Sequence, residues 1–238
     1  MMINLHNHSL WSDGSYSIAE IVDYGIRNKL KYLGISDHYL TSKVNSINNG
    51  SLQKYIAEIN KLKESNRADI SLYAGVEIDF TPRTDFKNLD FELLSQLDYV
   101  LFEHVQNESE GGLPLWQLPE LVDKIGVFTG LAHNNLIKNF PKAEMQTILS
   151  MLESKNVFIE LNTSTNYMKY GRYYFDLSAE WFENIRNYRI PISIGCDMHE
   201  NLQDMLNFNI ALDFINSNGL DRNMKLLIET LDRIRKYG

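Results

Sequence analysis

Residues 3–29, INLHNHSLWSDGSYSIAEIVDYGIRNK, hold one strand and one helix with a polar turn between them. Ile3 to His6 is a short extended segment that runs straight into a second histidine, His8. From position 17 the pattern becomes helical. Ser17, followed three residues later by Glu20, reads as a capping box, in which each side chain satisfies a backbone donor left open at the helix start. The first helix is therefore expected over 17–29. The same unit recurs along the chain. Short segments rich in β-branched and aromatic residues lie at Tyr32 to Ser36, Ser71 to Ile78, Tyr99 to Phe102, Val127 to Ala132, Phe158 to Leu161 and Ile192 to Gly195. Helical stretches near 52–65, 88–96, 117–125, 142–155 and 177–188 separate them, and two more, near 202–217 and 221–236, close the chain. Alternation of this kind marks βα units around a parallel sheet. Seven repeats are too many for a small open sheet with an obvious switch point, so an α/β fold with a closed or nearly closed barrel is expected.

Length and charge narrow the function. A chain of 238 residues suits one domain over 1–238. The balance of 23 basic and 31 acidic residues, a net charge of −8, argues against broad attraction to nucleic acid or to an anionic membrane. Cys196 is the single cysteine, which excludes an internal disulfide framework, and the N-terminus has no signal-peptide pattern. No apolar run approaches the ~20 residues that span a bilayer. A cytoplasmic enzyme with no membrane partner is expected. The Asn- and Ser-rich segment 41–51 reads as a mobile surface connection.

The chemistry is carried by histidine. All six histidines, His6, His8, His38, His104, His133 and His199, fall at or just past the end of an expected strand. Residues at those ends converge in a parallel barrel, because its active sites are built from the loops that follow the strands. Carboxylates share these places: Asp13 after the first strand, Asp37 before His38, Glu77 on the third strand and Asp197 before His199. In extended backbone the His6-Asn7-His8 spacing puts both imidazoles on one face, and Asp197-Met198-His199 repeats that spacing on the last strand. Six imidazoles with Asp13, Glu77 and Asp197 make nine ligands, about three for each of three ions. Three divalent ions would bring about +6 against −3 from those carboxylates, a field that favours an anionic substrate despite the acidic surface. Imidazole and carboxylate without thiolate suit zinc, manganese or iron.

Taken together, His6-Asn7-His8, Ser12-Asp13-Gly14, Ile35-Ser36-Asp37-His38, Gly75-Val76-Glu77, Ala132-His133 and Gly195-Cys196-Asp197-Met198-His199 resemble the motifs of the polymerase and histidinol phosphatase (PHP) family, in that family's order. The resemblance implies a distorted TIM-like (β/α)7 barrel and a trinuclear metal centre. It implies that His6, His8, Glu77 and Asp197 hold one metal, that Glu77 bridges to a second held by His104 and His133, and that Asp13, His38 and His199 hold the third. Two departures stand out. Asp13 sits where many histidinol phosphatases of the family carry a third histidine, and Phe102-Glu103-His104-Val105 differs from the usual surroundings of that ligand.

The function expected is hydrolysis of a small phosphomonoester by a metal-bound hydroxide, with nucleic acid as a substrate only in the form of a short oligonucleotide. Glu77 bridges metals in this reading. Asp37 orients a ligand or handles a proton, or else caps a turn. Arg83, Lys169 and Arg172 are candidates to grip phosphate, since each lies on a loop after a strand. Tyr167, Tyr170, Tyr173 and Tyr174 line an organic pocket or pack a long loop. Two rival readings are an amidohydrolase-like attack on a C–N or carboxyl ester bond, and a metal-binding module with a regulatory role.

Overall fold

The computed structural model describes residues 2–237. Seven strands pair in parallel in chain order: β1 (Ile3–Asn4), β2 (Tyr32–Ile35), β3 (Ser71–Asp79), β4 (Tyr99–Glu103), β5 (Phe128–Leu131), β6 (Phe158–Asn162) and, after a small hairpin, β9 (Ile192–Gly195). The first and last strands meet without a regular ladder. The Leu5 N–H donates to the Ile194 carbonyl and the His8 N–H to the Met198 carbonyl, each at 2.9 Å. These bonds close the wall far enough to set His6-Asn7-His8 beside Asp197-Met198-His199. The fold is the nearly closed α/β barrel that the alternating pattern implied, TIM-like as the resemblance implied.

The strands are short or wholly buried because helices cover the outside and side chains fill the inside. All nine residues of β3 are buried. Inside the barrel, Tyr99 fills the space over two glycines. A Cβ on Gly75 would lie 2.3 Å from the Tyr99 ring and one on Gly34 would lie 2.3 Å from its hydroxyl, which donates to the Leu5 carbonyl at 2.6 Å. On the outside, α1 (Ile18–Arg27) starts at the expected capping box, with the Ser17 N–H donating to Glu20 at 2.8 Å, and buries Ile18, Ile21 and Val22.

Departures from the sequence pattern are local and have causes. The helix expected from 52 begins at Asn49, because the Asn48 N–H donates to the Ser51 hydroxyl at 3.0 Å and opens the helix a turn earlier. The segment expected as one helix over 202–217 is a 3-10 turn, Leu202–Leu206, followed by a helix over Asn209–Asn218 that ends at Gly219 in the left-handed region. The tyrosine-rich loop forms a hairpin, β7 (Met168–Lys169) and β8 (Arg172–Tyr173), that the sequence pattern missed. The 41–51 segment is anchored rather than loose: Ile47 is buried and exchanges backbone hydrogen bonds with His38 and Leu40 at 2.8 and 2.9 Å. Among the described residues, no helix is long and apolar enough to cross a membrane.

Candidate metal centre

The C-terminal ends of the strands carry the site. His6 and His8 leave β1, and Asp197 leaves β9 opposite them. Asp197 Oδ1 lies 3.2 Å from His6 Nε2 and 3.0 Å from His8 Nε2. Glu77, on β3, places its two oxygens 3.4 Å from these same nitrogens. The ligand atoms of one tetrahedral ion, bound at about 2.0–2.2 Å, stand about 3.3–3.6 Å apart. The four groups therefore have nearly the spacing of one ligand shell. The two imidazole nitrogens, 3.1 Å apart, share at most one proton between them. A cation fits where these donors converge better than the groups fit one another.

A second group gathers on the loop after β1. Asp13 lies 3.3 Å from His199 Nε2 and 3.6 Å from His38 Nε2. The loop is held from below by Asp37, which is fully buried and accepts from the Ser9 N–H at 2.7 Å, the Ser9 hydroxyl at 2.7 Å and the Ser12 hydroxyl at 2.6 Å. Asp37 thus touches the loop that carries the ligands rather than the open centre.

On the far side of Glu77, His133 Nε2 lies 2.9 Å from Oε1. His104 does not join them. Its Nε2 faces Glu103 at 2.9 Å, although its ring stands 6.1 Å from that of His133. His104, His133 and Asp197 all have positive φ (62°, 32° and 51°), a backbone region that costs non-glycine residues energy and clusters at functional sites.

Three groups outside the expected ligand set hold the ligands in place. Glu160, buried on β6, contacts His6 Nδ1 at 2.9 Å with one oxygen and accepts the His133 N–H at 2.7 Å with the other. A Cβ at position 195 would collide with that carboxylate, so Gly195 is required there. Tyr167 stacks on His133 with ring centroids 4.0 Å apart and donates its hydroxyl to Asp197 Oδ2 at 2.7 Å. Glu103, also buried, receives Lys43 Nζ at 2.9 and 3.1 Å. A carboxylate within an otherwise apolar, fully buried strand requires a partner, and that is the signal by which Glu103 and Glu160 are readable.

The electrostatics show a demand for positive charge. Burial alone would push Glu77 and Asp197 up, yet the surrounding imidazoles, His6 foremost, hold both well below the usual carboxylate range. Asp13 is lowered to about 2, its burial outweighed by His199 and its neighbours, and His199 is raised to about 9 by Asp13 and Asp197 against the effect of burial. Burial, helped by His8, holds His38 below its ordinary value and so favours the neutral form that binds metal. Glu77 Oε2 and His38 Nδ1 are buried without a hydrogen-bond partner. A donor set of this kind, rich in imidazole and in ionised carboxylate with unused lone pairs, fits divalent cations.

Of the three candidate phosphate-gripping cations, Lys169 and Arg172 are register partners across the β7–β8 hairpin, and Arg83 lies on the loop after β3. Arg83 is paired with buried Asp79 at 2.8 Å. Lys169 lies over the Tyr170 ring, 5.2 Å from its centroid, and Arg172 donates to the Asp176 carbonyl at 2.7 Å, both on the hairpin.

A parallel barrel that gathers buried imidazoles and carboxylates at the ends of its strands defines a class, the hydrolases that work with metal from strand-end loops. The PHP domain family model matches residues 4–138, more than half of the chain. The chain belongs to that family, the PHP family of metal-dependent phosphoesterases. It is 32% identical over 99 residues to the DNA polymerase/3'-5' exonuclease PolX of Bacillus subtilis (strain 168), a match that takes in 41% of this chain and 17% of that protein's length. Its fold is similar to that of histidinol phosphate phosphatase (HisK) from Lactococcus lactis, solved with zinc, L-histidinol and phosphate: the TM-score is 0.67 at 18% identity, over 92% of this chain and 94% of that one. A protein named as a histidinol phosphatase from Listeria monocytogenes is similar over 85% of this chain and 96% of its own, with a TM-score of 0.56 and 16% identity.

Proposed function

We propose that the chain hydrolyses a small phosphomonoester with three divalent ions, zinc, manganese or iron. One observation carries this reading: His6, His8, Glu77 and Asp197 converge at the barrel mouth at 3.0–3.4 Å spacings, buried and rich in negative charge. These four would hold one ion. Glu77 would bridge it to a second beside His133, with His104 assigned by family resemblance, and Asp13, His38 and His199 would hold the third. Bound divalent ions lower the pKa of water and neutralise charge developing on a phosphoryl group.

The chain's own residues supply position and charge. Glu160 fixes the face that His6 turns to the centre, and Tyr167 fixes Asp197. Asp37 positions the 9–12 loop, and with it Asp13. In this reading Arg83, Lys169 and Arg172 would grip the substrate's phosphate; Arg83 is paired with Asp79. The single cysteine, Cys196, is free and buried, as suits a protein of the reducing cytoplasm, the setting this reading gives it.

The test is phosphate release from histidinol phosphate, nucleoside monophosphates and sugar phosphates by metal-loaded protein. Release that chelation abolishes and metal restores supports the reading. Hydrolysis of an amide or carboxyl ester with none of these phosphoesters overturns it. The PolX similarity favours one second reading, a 3'-5' exonuclease on short oligonucleotides, which would instead liberate mononucleotides from a labelled single strand.

A further inference from the structure

Glu103 is absent from the ligand set that family resemblance implies, yet the structure sets it against the centre. It ends β4 beside β3, is 1% exposed, and offers an oxygen 3.6 Å from His38 Nδ1. Ligand atoms of His38, Glu77 and Glu103 lie within 4.8 Å of one another. Two of them are the buried atoms without a hydrogen-bond partner, His38 Nδ1 and Glu77 Oε2, which stand 3.3 Å apart. Two neighbouring buried carboxylates repel each other unless a cation lies between or against them. In the structure that cation is Lys43, whose ammonium contacts both Glu103 oxygens and comes within 3.5 Å of His104 Nε2. Lys43 arrives on the anchored 41–51 segment, and its side chain is 32% exposed, so it has a solvent route away from Glu103.

We propose that Glu103 is a metal ligand, holding an ion beside the Glu77 bridge with Glu77 and with His38, which would turn Nδ1 to this ion instead of serving the ion of Asp13 and His199; that Glu103 does so in the place that resemblance gives to His104; and that Lys43 is the cation this metal displaces. The proposal rests on the metal-centre reading above. It accounts for the two unsatisfied buried atoms and for the turn of His104 away from Glu77. It also gives the buried Glu103 a counter-charge in both states, one positive charge from lysine without metal and two from the ion with it.

The experiment is titration of metal-stripped protein with zinc or manganese against a chromophoric chelator, with elemental analysis after dialysis. Wild type is compared with Glu103→Gln and Lys43→Met, and metal-free melting curves check that each folds. Glu103→Gln should hold one ion fewer than wild type. Lys43→Met should keep the full count and bind its weakest ion about 10-fold more tightly, because no ammonium must leave. An unchanged count and affinity in Glu103→Gln, or equal or weaker binding in Lys43→Met, overturns the proposal. Should Glu103→Gln not fold, the Lys43→Met arm decides alone. If wild type loads ions and Glu103→Gln loads them equally, only the role of Glu103 fails; if wild type takes up none, the metal-centre reading fails with it.

Discussion

Glu160 holds His6 Nδ1 at 2.9 Å while its second oxygen accepts the backbone N–H of His133 at 2.7 Å, so one buried carboxylate sets two of the candidate ligands. The contact fixes which nitrogen His6 turns to the centre, because a carboxylate at Nδ1 leaves Nε2 free to bind metal. Glu160→Gln keeps the shape but removes the charge. Metal affinity should fall about 10- to 100-fold, as is typical for loss of an outer carboxylate. Competitive metal titration checks this, and wild-type affinity would remove Glu160 from the account.

Tyr167 acts on His133, one of those two ligands, and on Asp197, through one ring stack and one hydrogen bond. Tyr167→Phe keeps the stack on His133 and deletes the bond to Asp197, whose carboxylate then loses a charge-assisted partner. Weaker metal binding by about 10-fold is expected, with the folded structure unchanged by circular dichroism. Tyr167→Ala should be worse, since it removes both contacts.

The legible part of the site is the part that strand ends expose. Five of the six histidines and the three carboxylates come together as strand-end reasoning expects, because a barrel sends the residues after its strands to one mouth, while His104 turns to Glu103. Glu103 ends β4 and Glu160 lies within β6, where hydrophobic pattern commands attention, and only their charge in a buried segment betrays them. The reach of Lys43 to Glu103 crosses 60 residues and follows from how the 41–51 segment folds back on His38, which no local pattern encodes. The hairpin escaped notice because Tyr170 takes a positive φ, a conformation for which tyrosine gives no signal.

The metal-free protein should lose stability as pH rises from neutrality. His199 has its pKa raised from 6.5 to about 9, so its contribution is complete below 6.5 and lost as pH climbs through 9. Asp13, lowered from 3.8 to about 2, contributes above 3.8 and loses that contribution as pH falls through 2. Thermal midpoints of chelator-treated protein between pH 6 and 9.5 should therefore decline, and His199→Asn should flatten the decline. Identical slopes for the two proteins would count against the pairing of His199 with Asp13.

Tyr99→Phe tests the barrel interior rather than the centre. The substitution leaves the ring over Gly34 and Gly75 but strips the buried Leu5 carbonyl of its hydroxyl donor. Unfolding in urea should show a loss of about 1–3 kcal/mol, the cost of an unsatisfied buried polar group. A loss near zero would mean that the carbonyl finds another partner.

Glu77 is the residue on which the ions meet, so the most direct measurement is the metal content of reconstituted wild type beside Glu77→Gln, by elemental analysis. Three ions per chain are predicted for wild type and at least one fewer for the variant, with phosphate release down by about 100-fold or more. An equal ion count in the two proteins would contradict a centre built around that carboxylate.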